Sequence, residues 1–290
     1  MSNSIEYAKK FVPIIDDIYK AASVTEGMDA ATKADFSGVN EVKVLKVSTT
    51  GLGDYSRENG YPKGDVTAQW ETMVLEIERG KEISVDRMDD EETLGRVFGE
   101  VVGKFMRDHV VPEMDAYRFA KYAGSTGVGT GSATLTSDTI IAAVDEAVRV
   151  FDEEEVNASG RVLYVNSDLK PILNQALNRA WASDASVRTI ITEYNDIPIK
   201  YVPKKRFYNA ITLNSGTENW GFEPGENAKA INFMLVDKEA ILQTKKFALP
   251  KIFTPDVNQD KDAWKFQYRL YHDCYVYENK RKGVYVHTNV

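Results

Sequence analysis

DDEETLGRVFGEVVGKFMRDHVVPEMDAYRFAKY, residues 89–122, is the stretch on which the reading of this chain turns. Leu94, Val97, Phe98, Val101, Val102 and Phe105 recur at the three-four spacing of an apolar helix face. Asp89 and Asp90 precede it as cap candidates, and Glu91 and Glu92 place negative charge on the first turn, where the helix dipole favours it. Carried through to Tyr122, the pattern predicts a rod roughly 50 Å long at about 1.5 Å per residue. Pro112 interrupts it. The proline ring has no N–H and meets the carbonyl four residues earlier, so a kink or break is expected from Asp108 to Val111. Beyond it Met114, Tyr117 and Lys121 share a side, and the helix ends at Gly124.

Upstream, residues 1–38 begin with an amphipathic helix pattern (Ile5, Ala8, Phe11, Val12, Ile15, Ile18) and continue in small and polar residues. Such a segment is expected to pack on something else, another subunit included. EVKVLKVST (41–49) alternates like a half-exposed strand, and WETMVLEI (70–77) reads as its partner. About twenty residues rich in glycine and charge lie between them, so the pair predicts a long hairpin. A lone hairpin is marginal in water, and this one needs a neighbour.

Downstream, STGVGTGSATL (125–135) reads as an inter-domain turn: its glycines lack the Gly-Lys-Ser/Thr ending and the preceding strand of a phosphate loop. Ser137 is expected to cap a helix carrying Ile140, Ile141, Val144, Val148 and Phe151 on one face. A strand follows at Arg161–Val165, then a helix opening at Asn166 or Ser167 and running to Trp181. Further strands are predicted around Ile190, at Ile197–Val202 and at Ile231–Val236. The block 137–240 thus reads as a mixed α/β unit. Lys238–Phe247 reads as a short helix. Two strands, Trp264–Tyr277 and Gly283–His287, joined by ENKRKG, are expected to return over the long helix.

Composition is that of a soluble globular protein: 43% hydrophobic and 28% charged residues in 290. The net charge of −8 and a pI near 5.1 disfavour broad nucleic-acid binding by phosphate neutralisation. The single cysteine, Cys274, excludes an intrachain disulfide. No run approaches the ~18 apolar residues of a membrane span, and the first residues have no signal-peptide pattern, so a cytoplasmic protein is expected.

No catalytic constellation emerges. His109, His272 and His287 are widely spaced, and a Cys274–His272 pair would need a facing geometry that one strand face does not provide. DVNQDKDAW (256–264) starts like a calcium loop at Asp256, Asn258 and Asp260 but has Lys261 where glycine and Gln267 where glutamate belong. No catalytic, cofactor-binding or metal-binding residue is assigned. A two-domain enzyme using carboxylates such as Asp145 or Glu193 in a cleft is kept as an alternative of another class.

The order of segments resembles the major capsid proteins of tailed bacteriophages, with the Hong Kong 97-type fold. The residues that carry the resemblance are EETLGRVFGEVVGKFMRDHVVPEMDAYRFAKYA (91–123), similar to the spine-helix region of such proteins from phages and prophages of Gram-positive bacteria. RVLYVNSDLKPIL (161–173), NDIPIKYVP (195–203) and YHDCYVYENKRKGVYVH (271–287) add to it. The resemblance implies an α+β fold: an N-terminal arm (1–38), an extended β-hairpin loop (39–88), a peripheral domain with the spine helix (89–136 and 241–290), and an inserted α/β axial domain (137–240). It implies a structural protein and not an enzyme, without cofactor. Its partners would be copies of itself in pentamers, hexamers and an icosahedral shell, a portal, and packaged double-stranded DNA bound without sequence specificity, with no membrane.

The implied location is the virion capsid, assembled in the host cytoplasm. Some members begin with a scaffolding segment; the arm here is too short for one, so a separate scaffolding protein is expected unless the segment was processed away. Some members crosslink a lysine to an asparagine beside a glutamate. Lys63 and Lys81 lie in or near the loop, but no asparagine or acid is matched to them, and no crosslink is expected. A shell of the same fold that loads a protein cargo, an encapsulin-like nanocompartment, is the nearest alternative.

Overall fold

The computed structural model describes residues 23–28, 35–37, 41–58, 60–88, 97–181 and 192–290. The expected helix at 5–18, the caps Asp89 and Asp90, Leu94 and the strand around Ile190 lie outside them.

The long helix is present as α1 (Val97–Phe105), one π-helical turn (Met106–Val110) and α2 (Val111–Ala123), with Gly124 as C-cap. The expected kink or break at Asp108–Val111 is thus a widened turn. Val111 donates its N–H to Met106 O, five residues back. An extra residue per turn gives the Pro112 ring room against the preceding carbonyls, which a regular α-turn lacks.

This spine lies across two sheets. One is three-stranded, in the order β12 (Ile241–Phe253), β13 (Ala263–Val276), β4 (Ile77–Asp86), all antiparallel. Val102, Met106, Val110, Val111 and Met114 of the spine pack there against Ile252, Phe266, Tyr268 and Leu270. Along β13, Phe266, Tyr268, Leu270, His272, Cys274 and Val276 are buried on one face, Trp264 at its start is half-buried, and from Leu270 to Cys274 both faces are covered, Tyr271 and Asp273 included.

The second sheet has six strands, in the order β5 (Gly129–Ser132), β14 (Val284–Thr288), β11 (Ile231–Asp237), β6 (Arg161–Asn166), β8 (Ile197–Val202), β7 (Glu193–Tyr194). It is mixed, with β14–β5 and β6–β8 parallel. Every residue of β6 and β11 is buried, because both faces are covered. On one face Leu163, Val165, Phe233 and Leu235 meet Val144, Phe151, Leu173 and Leu177 of α3 (Ile140–Glu153) and α4 (Lys170–Trp181). On the other, Val162, Tyr164, Met234 and Val236 meet Phe119 and Tyr122 of α2. Helices, sheet and spine form three layers. The sheet draws β5 and β14 from outside residues 137–240, so the last strand of the tail does not pair with β13.

Several local expectations are corrected. The glycine-rich 125–135 segment is not only a turn: Gly129–Ser132 form β5. A Cβ on Gly129 would stand 2.6 Å from the Tyr285 ring, so the glycine is there for close strand-to-ring approach. Helix α3 starts after Thr139, not at Ser137, which sits in the preceding turn. Asn166 does cap as expected, its side chain accepting Asp168 N–H at 3.1 Å. The helix expected at Lys238–Phe247 is strand β12. A turn at Asp237–Ala240, in which Asp237 accepts Glu239 N–H at 3.2 Å, ends β11, and Ile241 and Leu242 then pair with Val276 and Tyr275.

The hairpin is formed by β2 (Glu41–Thr49) and β3 (Val66–Val74), with β1 (Asp35–Ser37) beside β2. The predicted second strand, 70–77, straddled two elements. The chain leaves β3 at Leu75 and Glu76 and enters β4 in the other sheet, because buried Leu75 and the Asp273 carboxylate hold the junction. A short pair, β9 (Ile211–Leu213) and β10 (Phe222–Pro224), was not foreseen.

Candidate assembly interface

Antiparallel pairing sets Leu45 opposite Trp70, Val47 opposite Ala68 and Thr49 opposite Val66. Alternation therefore puts Leu45, Val47, Val66, Trp70 and Val74 on one face of the hairpin. That face is bare: Leu45 is 49% exposed, Val47 52%, Val66 68%, Trp70 61% and Val74 48%. The opposite face is covered at its base, where Val42 and Met73 pack on Leu242 and Tyr277. The loop beyond adds Leu52, Tyr55 and Tyr61, all exposed, with the two tyrosine rings edge-on at 5.0 Å. Contiguous exposed apolar surface of this kind marks an interaction site.

Two buried carboxylates hold the projecting segments to the body. Asp273, fully buried on β13, accepts the Glu76 N–H at 3.1 Å, the Tyr117 hydroxyl at 2.8 Å, the Tyr275 hydroxyl at 3.0 Å and the Cys274 N–H at 2.8 Å. Burial, with the carboxylate beside them, pushes the Tyr117 and Tyr275 hydroxyls well above their ordinary range. Asp115, fully buried on α2, accepts Ser23 Oγ at 2.8 Å, Thr25 Oγ1 at 2.7 Å, Val24 N–H at 3.1 Å and Arg206 at 3.2 Å. Arg118 donates to Thr25 Oγ1 at 2.8 Å. Residues 23–28, from the predicted arm, are thereby stapled to the spine of their own chain, with Met28 in the core. Sequence reasoning passed over Asp115, Arg118 and Asp273, since charges in amphipathic patterns read as solvated. On α2 the signal available was that Asp115 and Arg118 share a helix face with Val111 and Tyr122; Asp273 falls opposite the apolar face of β13 and carried no such signal.

The flagged residues are dispersed. Cys274 is fully buried and its thiol is pushed up to about 12 by burial, so it is held protonated. His272, two residues away on the same strand face, is pushed down to about 3 by burial, with Arg118, Lys245 and Arg79 adding repulsion. His109 is exposed on the π-turn, and His287 stacks on Phe233 at 4.9 Å in the other sheet. Asp145 on α3 accepts the Tyr194 hydroxyl at 2.6 Å, and Glu193 is exposed on β7. In the 256–264 turn, Asp256 pairs with Arg87 at 3.2 Å and Asp260 with Lys265. Among the described residues, Asp145, Asp256 and Asp260 each hold a protein cation or hydroxyl. Lys63 is exposed on the hairpin loop, and Lys81 lies on β4.

No family model and no curated protein matches the chain. Solved structures do. A chain of the bacteriophage PhiM1 mature capsid superposes with a TM-score of 0.63 over 87% of this chain and 82% of its own, at 9% identity. A chain from Gordonia phage Cozz gives 0.63 over 92% and 86%, at 13% identity. The virus-like particle of Pyrococcus furiosus gives 0.57 over 97% and 99%, at 10% identity. The chain has the Hong Kong 97-type capsid fold. At such identities, side chains are not what carries the likeness. The Hong Kong 97-type architecture is held here by burial pattern: a spine buried against two sheets, and a hairpin that leaves the body with one apolar face uncovered.

Proposed function

We propose that the chain is a major capsid protein whose copies, through pentamers and hexamers, close into an icosahedral shell around a phage genome. The observation that carries this is the bare face of Leu45, Val47, Val66 and Trp70 on a hairpin that has no covering element among the described residues, within a Hong Kong 97-type fold. Heterologous contacts repeated around a ring suit projecting elements of this kind, and they depend on buried area more than on reactive groups. In this role residues 39–88 act as the extended loop and 1–38 as the arm. Residues 137–240, with β6, β8, β11, α3 and α4, act as the axial unit, and 89–136 with 241–290, carrying the spine, β12 and β13, as the peripheral one. A portal, a separate scaffolding protein and packaged double-stranded DNA are the further partners. The net charge of −8 favours DNA that is enclosed and not gripped. The place of the protein is the virion capsid, assembled in the host cytoplasm.

The test is deletion of Gly51–Ala68 with electron microscopy and light scattering of the purified protein. The intact chain, alone or with scaffolding protein, is expected to give closed shells or rings of five and six, and the deletion soluble subunits that close none. Normal shells from the deletion would sink the role given to the hairpin. A second reading is a shell of the same fold that holds protein cargo; the overlap with the Pyrococcus furiosus virus-like particle supports a closed particle and is compatible with either content. Nuclease-protected DNA in purified particles favours the capsid, and a co-purifying enzyme favours the compartment.

A further inference from the structure

A groove of about 470 Å³ opens beside the place where residues 23–28 are stapled to the spine. Pro112 and Asp115 stand three residues apart on α2 and so share a helix face. Asp115 holds Ser23 and Val24, while Pro112 lines the groove. Arg206 belongs to both: it donates to Asp115 Oδ2 at 3.2 Å and lines the groove as well. The remaining apolar lining is Pro203, Tyr208, Phe222 and Pro224. Three charges stand in it, the bases Lys205 and Arg206 and the acid Asp108 of the π-turn, with Lys205 and Asp108 exposed.

The chain that leads to Ser23 reads FVPIIDDIYKAA, residues 11–22. Its isoleucines, Ile14, Ile15 and Ile18, have the i, i+3 and i, i+4 spacing of groove-docking anchors. Asp16 and Asp17 lie among them and Lys20 follows. Two acids and a base among isoleucines thus complement two bases and an acid among prolines and aromatic rings. The reach is sufficient. Ile18 is five residues from Ser23, at most about 18 Å of extended chain, and the groove begins at Arg206, one ion pair from the carboxylate that fixes Ser23. A tether this short gives the segment an effective concentration on the order of millimolar at its own groove, which favours it over the same segment of a second copy.

We propose that this groove is the docking site for residues 14–18 of its own chain, with the isoleucines against Pro203, Tyr208, Phe222 and Pro224 and the two aspartates toward Lys205 and Arg206. The contact lies within one subunit, and its test does not depend on shell assembly. Cys274 is buried, so a new cysteine pair can be read on its own. In the full chain carrying Ile18→Cys and Pro224→Cys, mild oxidation is expected to close a disulfide within one chain. A non-reducing gel would show a monomer band, and mass spectrometry the joined peptides. Hydrogen exchange supplies a second readout: Lys205→Glu, at an exposed position, is expected to speed exchange of residues 14–18 about threefold. When Asp16 and Asp17 are already asparagine, the same change is expected to add nothing. The absence of a disulfide overturns the proposal, and so does one that joins two chains, which would put the segment on a second copy. Exchange indifferent to Lys205→Glu overturns it as well.

Discussion

The Asp273 carboxylate accepts the Glu76 backbone N–H at 3.1 Å, at the residue where the chain leaves the projecting hairpin and enters the three-stranded sheet. The same carboxylate is bonded by Tyr117 of the spine and Tyr275 of β13. The direction of the hairpin is thus fixed to the spine through one buried charge. Asp273→Asn turns an acceptor toward donors and removes that charge. It is expected to lower subunit stability by about 2–4 kcal/mol, measured by denaturant unfolding. A loss under about 0.5 kcal/mol, within the range of ordinary surface changes, would remove Asp273 from this role.

The apolar face of the hairpin predicts a separation of folding from assembly. Leu45→Asp combined with Trp70→Ser changes residues that touch solvent in the subunit. Stability is expected to stay within about 0.5 kcal/mol of wild type. Shell formation, followed by light scattering, is expected to be lost, because the new charge would have to be desolvated in the contact. Shells that form normally would place the contact elsewhere.

Acid sensitivity follows from His272. Its folded-state value is pushed down to about 3 from an ordinary 6.5, chiefly by burial. Between those values the unfolded chain binds the proton and the native chain does not, so stability rises with pH. The contribution is complete above pH 6.5 and is lost as pH falls toward 3, with a slope of up to about 1.4 kcal/mol per pH unit. His287, also pushed down by burial, acts in the same direction. In His272→Gln the loss of stability between pH 6.5 and 4.5 is expected to be shallower by about one proton. An unchanged slope would show that His272 titrates near its ordinary value.

Gly129 tests the packing of β5 against β14. A Cβ there falls 2.6 Å from Tyr285 Cδ2, and the ring is sandwiched between the strand and the α3 layer. Gly129→Ala is expected to cost about 1–3 kcal/mol in thermal or denaturant unfolding. A neutral or stabilising effect would mean that the ring has room to move.

The amino-acid order alone determined the elements whose period is long and whose burial is simple. The spine, the half-exposed strand at 41–49, the strands at 161–165, 197–202 and 231–236 and the tail strand from Trp264 follow from apolar spacing, which any partner surface would satisfy. Pro112 announced a disturbance in the helix, since ring sterics are local; that the disturbance is a π-turn depends on the sheet beneath Met106 and Val110. Only tertiary structure decided which strand pairs with which: Gly283–His287 joins β11 and β5 and not its neighbour in sequence, and the glycines of 129–132 become a strand because Tyr285 leaves no space for side chains. The same holds for Asp115, Arg118 and Asp273. Whether a charge in a periodic segment is solvated or buried is undecided until the chain brings donors and acceptors from up to about two hundred residues away, and the energy of burying it is set entirely by those partners.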